Sequence, residues 1–352
     1  MTSDPISRPT FNTSLPPYPP SWFDRLLLWI DDLPGPEWLY YLTALLVVGI
    51  VINAIFWIDG VLPVGRFDAS NSTFALFVIY WPLLYRYLTR IGSRALRAYS
   101  PLLDQDDEEL TRIEYKLKIL PRWIGWLTVP MGFGLAALTI LTDPAPYGDI
   151  VPNTAVPYIG DIMLEGFMIA TFFCLLIRSI RQLRMVSKLH SQATNINLLE
   201  LKPAHAFSDL TARTGIGVIL VVIVSYPADP QAFGTGLNIL LTAVTTLLAI
   251  GIFVLPVIGL QSRLDDEKER ALSQTHNQLQ IVRNRLHDEV RSGQFKDMGA
   301  IKDAIEALIN ERDLIKSVST WPWNPKTIRG FASALLLPLF LGLATRLLER
   351  LM

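Results

Sequence analysis

The chain has 352 residues, of which 51% are hydrophobic and only 18% charged, with a formal net charge of −1. So low a charge fraction, with a positive mean hydropathy, argues against an ordinary water-soluble pair of domains. A near-zero balance likewise gives no reason to expect nucleic acid or another strongly charged partner. The apolar residues fall in blocks near the length that crosses a ~30 Å hydrocarbon core at ~1.5 Å per residue. The expected fold is therefore all-α, a polytopic helical membrane protein.

The beginning of the chain lacks a basic segment leading into an apolar core, so no signal peptide is expected. Residues 1–20 include the Pro-rich run "RPTFNTSLPPYPP", which reads as a disordered tail. In residues 21–34, Ser21 and Asp24 have the spacing of a capping pair. Trp22, Phe23, Leu26, Leu27, Ile30 and Leu33 then recur at helical spacing opposite Asp24, Arg25, Asp31 and Asp32. That pattern predicts a short amphipathic helix on the membrane surface, with a buried helix as the alternative.

Seven apolar blocks follow: Trp38–Ile58, Thr73–Leu88, Trp123–Leu141, Ile162–Ile180, Phe207–Tyr226, Leu237–Leu260 and Phe331–Leu348. Residues 36–260 would form a six-span bundle. Lysine and arginine concentrate after the second, fourth and sixth blocks, whereas segments 142–161 and 227–236 contain none. The positive-inside rule makes the basic segments cytoplasmic, and with them the N-terminus. A multi-pass protein of the cell (plasma) membrane is expected. Proline followed by an aromatic residue precedes each block running outward: Pro36 with Trp38, Pro121 with Trp123, Pro203 with Phe207, and Pro322 and Pro325 around Trp323. Proline suits the first helical turn, and tryptophan suits the headgroup level. The outer loops "IDGVLPVGRFD", "DPAPYGDIVP" and "PADPQAFGTG" resemble one another, through internal triplication or through shared turn chemistry.

Between blocks two and three, "DQDDEEL" lacks the loop glycine and distant glutamate of a helix–loop–helix calcium site. Carboxylates crowding the first turn of a helix explain it better, with Leu110, Ile113 and Leu117 on one face and Lys116 and Lys118 near the end. Residues 261–320 form the most regular polar stretch. Leu272, Thr275, Leu279, Val282 and Leu286 alternate by three and four, and Met298, Ile301, Ile305, Leu308, Arg312 and Ile315 continue the pattern after Ser292-Gly293. Two helices folded back as a cytoplasmic antiparallel coiled-coil hairpin are predicted, roughly 45 and 35 Å long. Residues 321–352 combine a Trp/Pro junction with a seventh span, for which a re-entrant or surface helix is the alternative.

Candidate chemistry is sparse. There is no phosphate loop, nucleotide fingerprint or nucleophile elbow, and no cofactor or metal set is expected. The single Cys174 excludes a disulfide framework. The four histidines, His190, His205, His276 and His287, are scattered. No carboxylate or histidine lies deep in a block, which counts against a coupled carrier. Three groups stand out. His205, Asp209 and Arg213 share a helical face at the cytoplasmic mouth of span five, either as a structural i,i+4 pair or as an interfacial binding site. Asn238, Thr242 and Thr245 form a polar face on span six, for packing or for a hydrated path. Trp38, Trp123, Trp321 and Trp323 are interface anchors.

The leading functional expectation is a non-enzymatic membrane protein that signals, scaffolds or recruits a partner through its cytoplasmic hairpin. An oligomeric channel or a transporter of lipid or small solutes, using span six, is the second. A lipid-headgroup enzyme would need His205, Asp209 and Arg213 together. Expected partners are membrane lipids, and a second copy or a cytoplasmic protein through 261–320.

Overall fold

The computed structural model describes residues 16–67, 69–103, 105–142, 152–192, 206–228, 236–293, 298–321, 323, 327–337 and 340. Among these the fold is all-α. Helices α1 (Trp22–Asp31), α2 (Glu37–Asp59), α3 (Ala69–Tyr99), α4 (Asp107–Lys118), α5 (Arg122–Thr142), α6 (Val156–Gln192), α7 (Ala206–Ala228), α8 (Gly236–Ser292) and α9 (Met298–Ser317) follow in order. A shorter apolar helix, α10, covers Thr327–Leu337.

Local signals set several helix ends. Ser21 caps α1 by accepting the Asp24 N–H. Asp106 caps α4 by accepting the Glu109 N–H, with acidic residues in its first turn and Lys116 and Lys118 in its last, complementing the helix dipole at both ends. Helix α2 stops at Gly60, whose φ of +80° is left-handed backbone that glycine adopts without a Cβ clash. Helices α3 and α6 continue beyond the apolar blocks from which they were predicted, to Tyr99 and Gln192. Their extensions are amphipathic and pack around α4, so hydropathy alone ends them too early.

Three helices are long and apolar enough to cross a membrane: Glu37–Asp59, Arg122–Thr142 and Val156–Val186, corresponding to the first, third and fourth apolar blocks. Only 22%, 33% and 28% of their apolar windows are buried within the protein. Most of their hydrophobic surface therefore faces outward, which water would penalise and hydrocarbon would not.

The tightest helix–helix contact joins α5 and α6. A Cβ on Gly132 would lie 2.6 Å from the Ala170 nitrogen and 2.6 Å from the Gly166 carbonyl oxygen. One on Gly166 would lie 2.5 Å from the Phe133 ring. Glycine at these positions lets two backbones approach closely, as small residues do in apolar helix pairs.

The largest core cluster lies toward one end of the bundle. Phe23 and Leu27 of α1, Tyr85, Leu88 and Tyr99 of α3, Leu117 of α4, Leu175 and Leu189 of α6, and Phe207 and Leu210 of α7 are buried together. A second cluster joins α7, α8 and α10, where Phe253 stacks on Phe331 with ring centroids 4.0 Å apart.

Beyond its apolar part, α8 runs unbroken into the charged stretch, and α9 returns along it. Gly293, at φ +67°, ends α8. Lys268 near the base donates to the carbonyls of Lys316 (2.9 Å) and Val318 (2.6 Å) at the end of α9, so the two helices are antiparallel. Of the two predicted rows, Thr275, Ile301 and Ile315 are buried and Leu272, Leu279, Val282, Leu286, Met298, Ile305, Leu308 and Arg312 half-buried, as are Ala271, Glu289 and Ala304 outside those rows.

Replacing Gly132 with alanine should cost about 1–3 kcal/mol, since backbone lies on both sides of the new methyl. Gly134→Ala meets nothing within 4 Å and should be neutral or stabilising by up to about 1 kcal/mol through helix propensity. Thermal melts of the two variants in detergent, with opposite signs expected, check this packing.

Candidate functional site

The richest polar constellation is built around Asp24, a residue that its sequence context assigns to the polar face of a surface helix. The structure instead buries it, because α1 turns Phe23, Asp24 and Leu27 into the core. Its carboxyl group has three donors from two distant parts of the chain and its own helix cap. The Ser21 hydroxyl donates to Oδ2 (2.6 Å), the Leu120 N–H to Oδ2 (2.9 Å), and the Tyr85 hydroxyl to Oδ1 (2.7 Å). Arg178 on α6 closes the set. Its guanidinium lies 4.0 Å from the Tyr85 ring centroid, and its Nη1 donates to the Tyr85 carbonyl at 2.9 Å. Nε and Nη2 of Arg178 are buried without a hydrogen-bond partner among the described residues.

The same centre pins the chain between α4 and α5. The Ser21 N–H donates to the Leu120 carbonyl (2.8 Å), and the Arg122 N–H to the Pro19 carbonyl (3.1 Å). The Tyr18 hydroxyl donates to the Ile119 carbonyl (2.9 Å), and the Tyr115 hydroxyl to the Tyr18 carbonyl (2.6 Å). Gln182 of α6 donates to the Leu117 carbonyl at 2.9 Å. Backbone groups left open where α4 ends are thus satisfied by side chains and by the N-terminal segment. Tyr18 to Pro20, expected to belong to a disordered tail, are docked. Residues 1–15 lie outside the described residues.

Burial raises the Asp24 carboxyl above the ordinary aspartate range, opposed by the hydrogen bonds from Ser21 and Tyr85 and by the charge of Arg178. Burial also pushes the Tyr18 phenol up to about 12, opposed by Arg181. It therefore stays a neutral donor at physiological pH. A second charged cluster ties α1 and α2 to α3. Arg86 is ion-paired with Asp31, lies 3.2 Å from Glu37, and donates to the Tyr41 hydroxyl at 3.0 Å.

These groups were missed from sequence because their partners lie far along the chain. The available signal was an arginine inside each of two apolar blocks, Arg86 and Arg178. Such a residue normally faces the bundle interior and finds a partner there. No group of His, Cys, Asp and Glu among the described residues could hold a metal ion. The arrangement can store a proton and hold backbone in place.

The sequence-derived candidates are dispersed. Asp209 and Arg213 form an i,i+4 ion pair at 2.8 Å with side chains 48% and 42% exposed. Arg213 also donates to the Tyr87 hydroxyl, with its guanidinium 5.8 Å from that ring centroid. His205 lies outside the described residues. Asn238 and Thr242 lie on α8, their side chains outside what is described, and Thr245 is half-buried. Trp38, Trp123 and Trp321 are exposed. Trp323, predicted to be an interface anchor, is only 7% exposed. It stacks on Phe253 with centroids 4.9 Å apart, so it secures the base of α8 inside the protein.

Two consequences can be measured. Asp24→Ala strands the Tyr85 hydroxyl and the Leu120 N–H, and should cost at least about 2 kcal/mol, whereas Arg213→Ala, removing one exposed pair, should cost under about 1 kcal/mol. Because the folded protein holds the Asp24 proton more tightly than the unfolded chain, this group's contribution is full below pH ~4. It is lost as pH rises through the folded value. Melting temperatures across pH 4–8 should therefore fall more steeply in the wild type than in Asp24→Asn. In comparisons with protein-family models, curated proteins and solved structures, the chain matches none of them.

Proposed function

We propose that the protein is a multi-pass membrane protein of seven spans, carried by α2, α3, α5, α6, α7, the apolar part of α8, and a last segment beginning with α10. Residues 261–320 would project into the cytoplasm as an antiparallel coiled-coil hairpin, and this hairpin would recruit or scaffold a partner protein. The predicted last span, 331–348, extends past the described residues.

The observation that carries this reading is the continuity of α8. Its 57 residues amount to about 85 Å at 1.5 Å per residue, well over twice a hydrocarbon core. One stiff backbone thus joins an apolar segment to a charged rod. At its base the rod is fastened twice, by Lys268 to the end of α9 and by Trp323 against Phe253. A rod fixed at both feet is suited to presenting a surface, or to carrying a tilt, between the spans on either side of it. The outward-facing apolar surfaces of α2, α5 and α6 support the membrane setting.

Cys174 is the chain's single cysteine and is buried, so introduced cysteines report topology cleanly. Ser292→Cys at the rod tip should react with an impermeant maleimide only after the cells are opened, and Arg66→Cys in intact cells. The reverse pattern would invert the topology. Deleting 264–317 with the junctions kept should abolish the cellular phenotype while leaving the chain inserted. A phenotype that survives would remove the recruiting role.

A further inference from the structure

At the α4–α5 corner, the docked N-terminal segment and the start of α5 enclose an open groove of about 490 Å³, lined by Tyr18, Pro19, Pro121, Arg122, Trp123 and Trp126. Its wall is almost wholly apolar, and Arg122, which contributes to that wall, is itself exposed. The floor is held rigidly, since Arg122 N–H bonds the Pro19 carbonyl and Tyr18 bonds the Ile119 carbonyl. Resting on the membrane reading above, we infer that this groove binds an anionic phospholipid, with its phosphate at Arg122 and an acyl chain laid along α5.

Three features select that occupant. First, the groove does not end at Trp126. Trp123, Leu127, Met131, Leu138 and Leu141 are all exposed. Their spacing of three and four, with Gly134 completing the series, draws one apolar stripe down the helix. An acyl chain leaving the groove meets a continuous apolar track along one of the helices long enough to span. Second, one of the residues bordering the groove is an exposed arginine. Arg122 has no ion-pair partner among the described residues. Arg181 stands behind Tyr18, 5.7 Å from the ring centroid and within 3.3 Å of its hydroxyl. The nearby carboxyl, Asp24, is turned inward and occupied by its three donors. Third, the walls carry two tryptophans with amphipathic rings, residues that favour the headgroup level. A free phosphate would use the arginine but none of the apolar wall. A soluble peptide would leave the stripe below the groove uncovered.

The test uses full-length protein, delipidated and reconstituted in nanodiscs of dioleoylphosphatidylcholine containing a minor fraction of dioleoylphosphatidylglycerol. Co-purifying lipid is then counted by native mass spectrometry. Wild type should retain phosphatidylglycerol in preference to phosphatidylcholine. Arg122→Gln should lower that preference about tenfold, the scale of one charge-assisted hydrogen bond. Trp126→Ala should lower retention of both lipids, and Arg66→Gln, a remote arginine, should change nothing. A photoreactive benzoylphenylalanine at position 126 should crosslink to lipid, and added inorganic phosphate should not compete. Equal retention in wild type, Arg122→Gln and Trp126→Ala overturns the inference, as does a crosslink to protein. Because insertion is scored separately by resistance to carbonate, failure of the membrane reading is distinguishable. A chain extracted by carbonate removes both, whereas an inserted chain without lipid preference removes the groove alone.

Discussion

The fold depends on one buried carboxyl group. Asp24 sits where α1, α3, α6 and the α4–α5 corner converge, and donors from Tyr85 and the Leu120 backbone reach it across 61 and 96 residues of chain. An unpartnered acid in such a place would be strongly unfavourable. With three donors and Arg178 close by, it becomes a directional clamp that apolar packing could not supply. The clamp fixes the point at which α4 turns into α5, and so the angle at which the apolar helix α5 leaves the packed end of the molecule.

Hydrophobic burial is distributed unevenly around that clamp. The largest core cluster draws on α1, α3, α4, α6 and α7, while α2 and α5 leave most of their apolar surface outside. A helix bundle in hydrocarbon gains little by hiding leucine from its surroundings, so close backbone approach and internal polar contacts must specify the packing instead. The contact of Gly132 with Gly166 and Ala170 illustrates the first, and the Asp24 and Arg86 clusters the second. In the charged part of α8 and in α9, by contrast, only a few side chains such as Thr275, Ile301 and Ile315 are buried.

How far the sequence could be read follows from the reach of each signal. The cap at Ser21 was legible, since capping uses residues three positions apart, and so was the acidic first turn of α4. The burial of Thr275, Ile301 and Ile315 was legible because the three-four periodicity is local. The ends of α3 and α6 were not, because amphipathic extensions carry low mean hydropathy while packing around α4. Asp24 was misread for a related reason. The same spacing that marks it as a cap partner of Ser21 suits a solvated face, and nothing near it in sequence reveals Tyr85 or Leu120. Trp323 shares its composition signal with the exposed Trp321, and only the position of Phe253 separates an anchor from a core residue.

By itself the amino-acid sequence determined the helical class, the three helices apolar enough to cross a membrane, and the capped start of α1. These rest on hydrophobic periodicity and capping, which act within a few turns of chain. Tertiary structure alone decided that Asp24 is buried and that Tyr18 to Pro20 are docked. It also brought Tyr18 and Pro19 against Arg122 and Trp126 to form one groove. Each of these outcomes is set by contacts between segments far apart in sequence, and local pattern does not encode the distance between them.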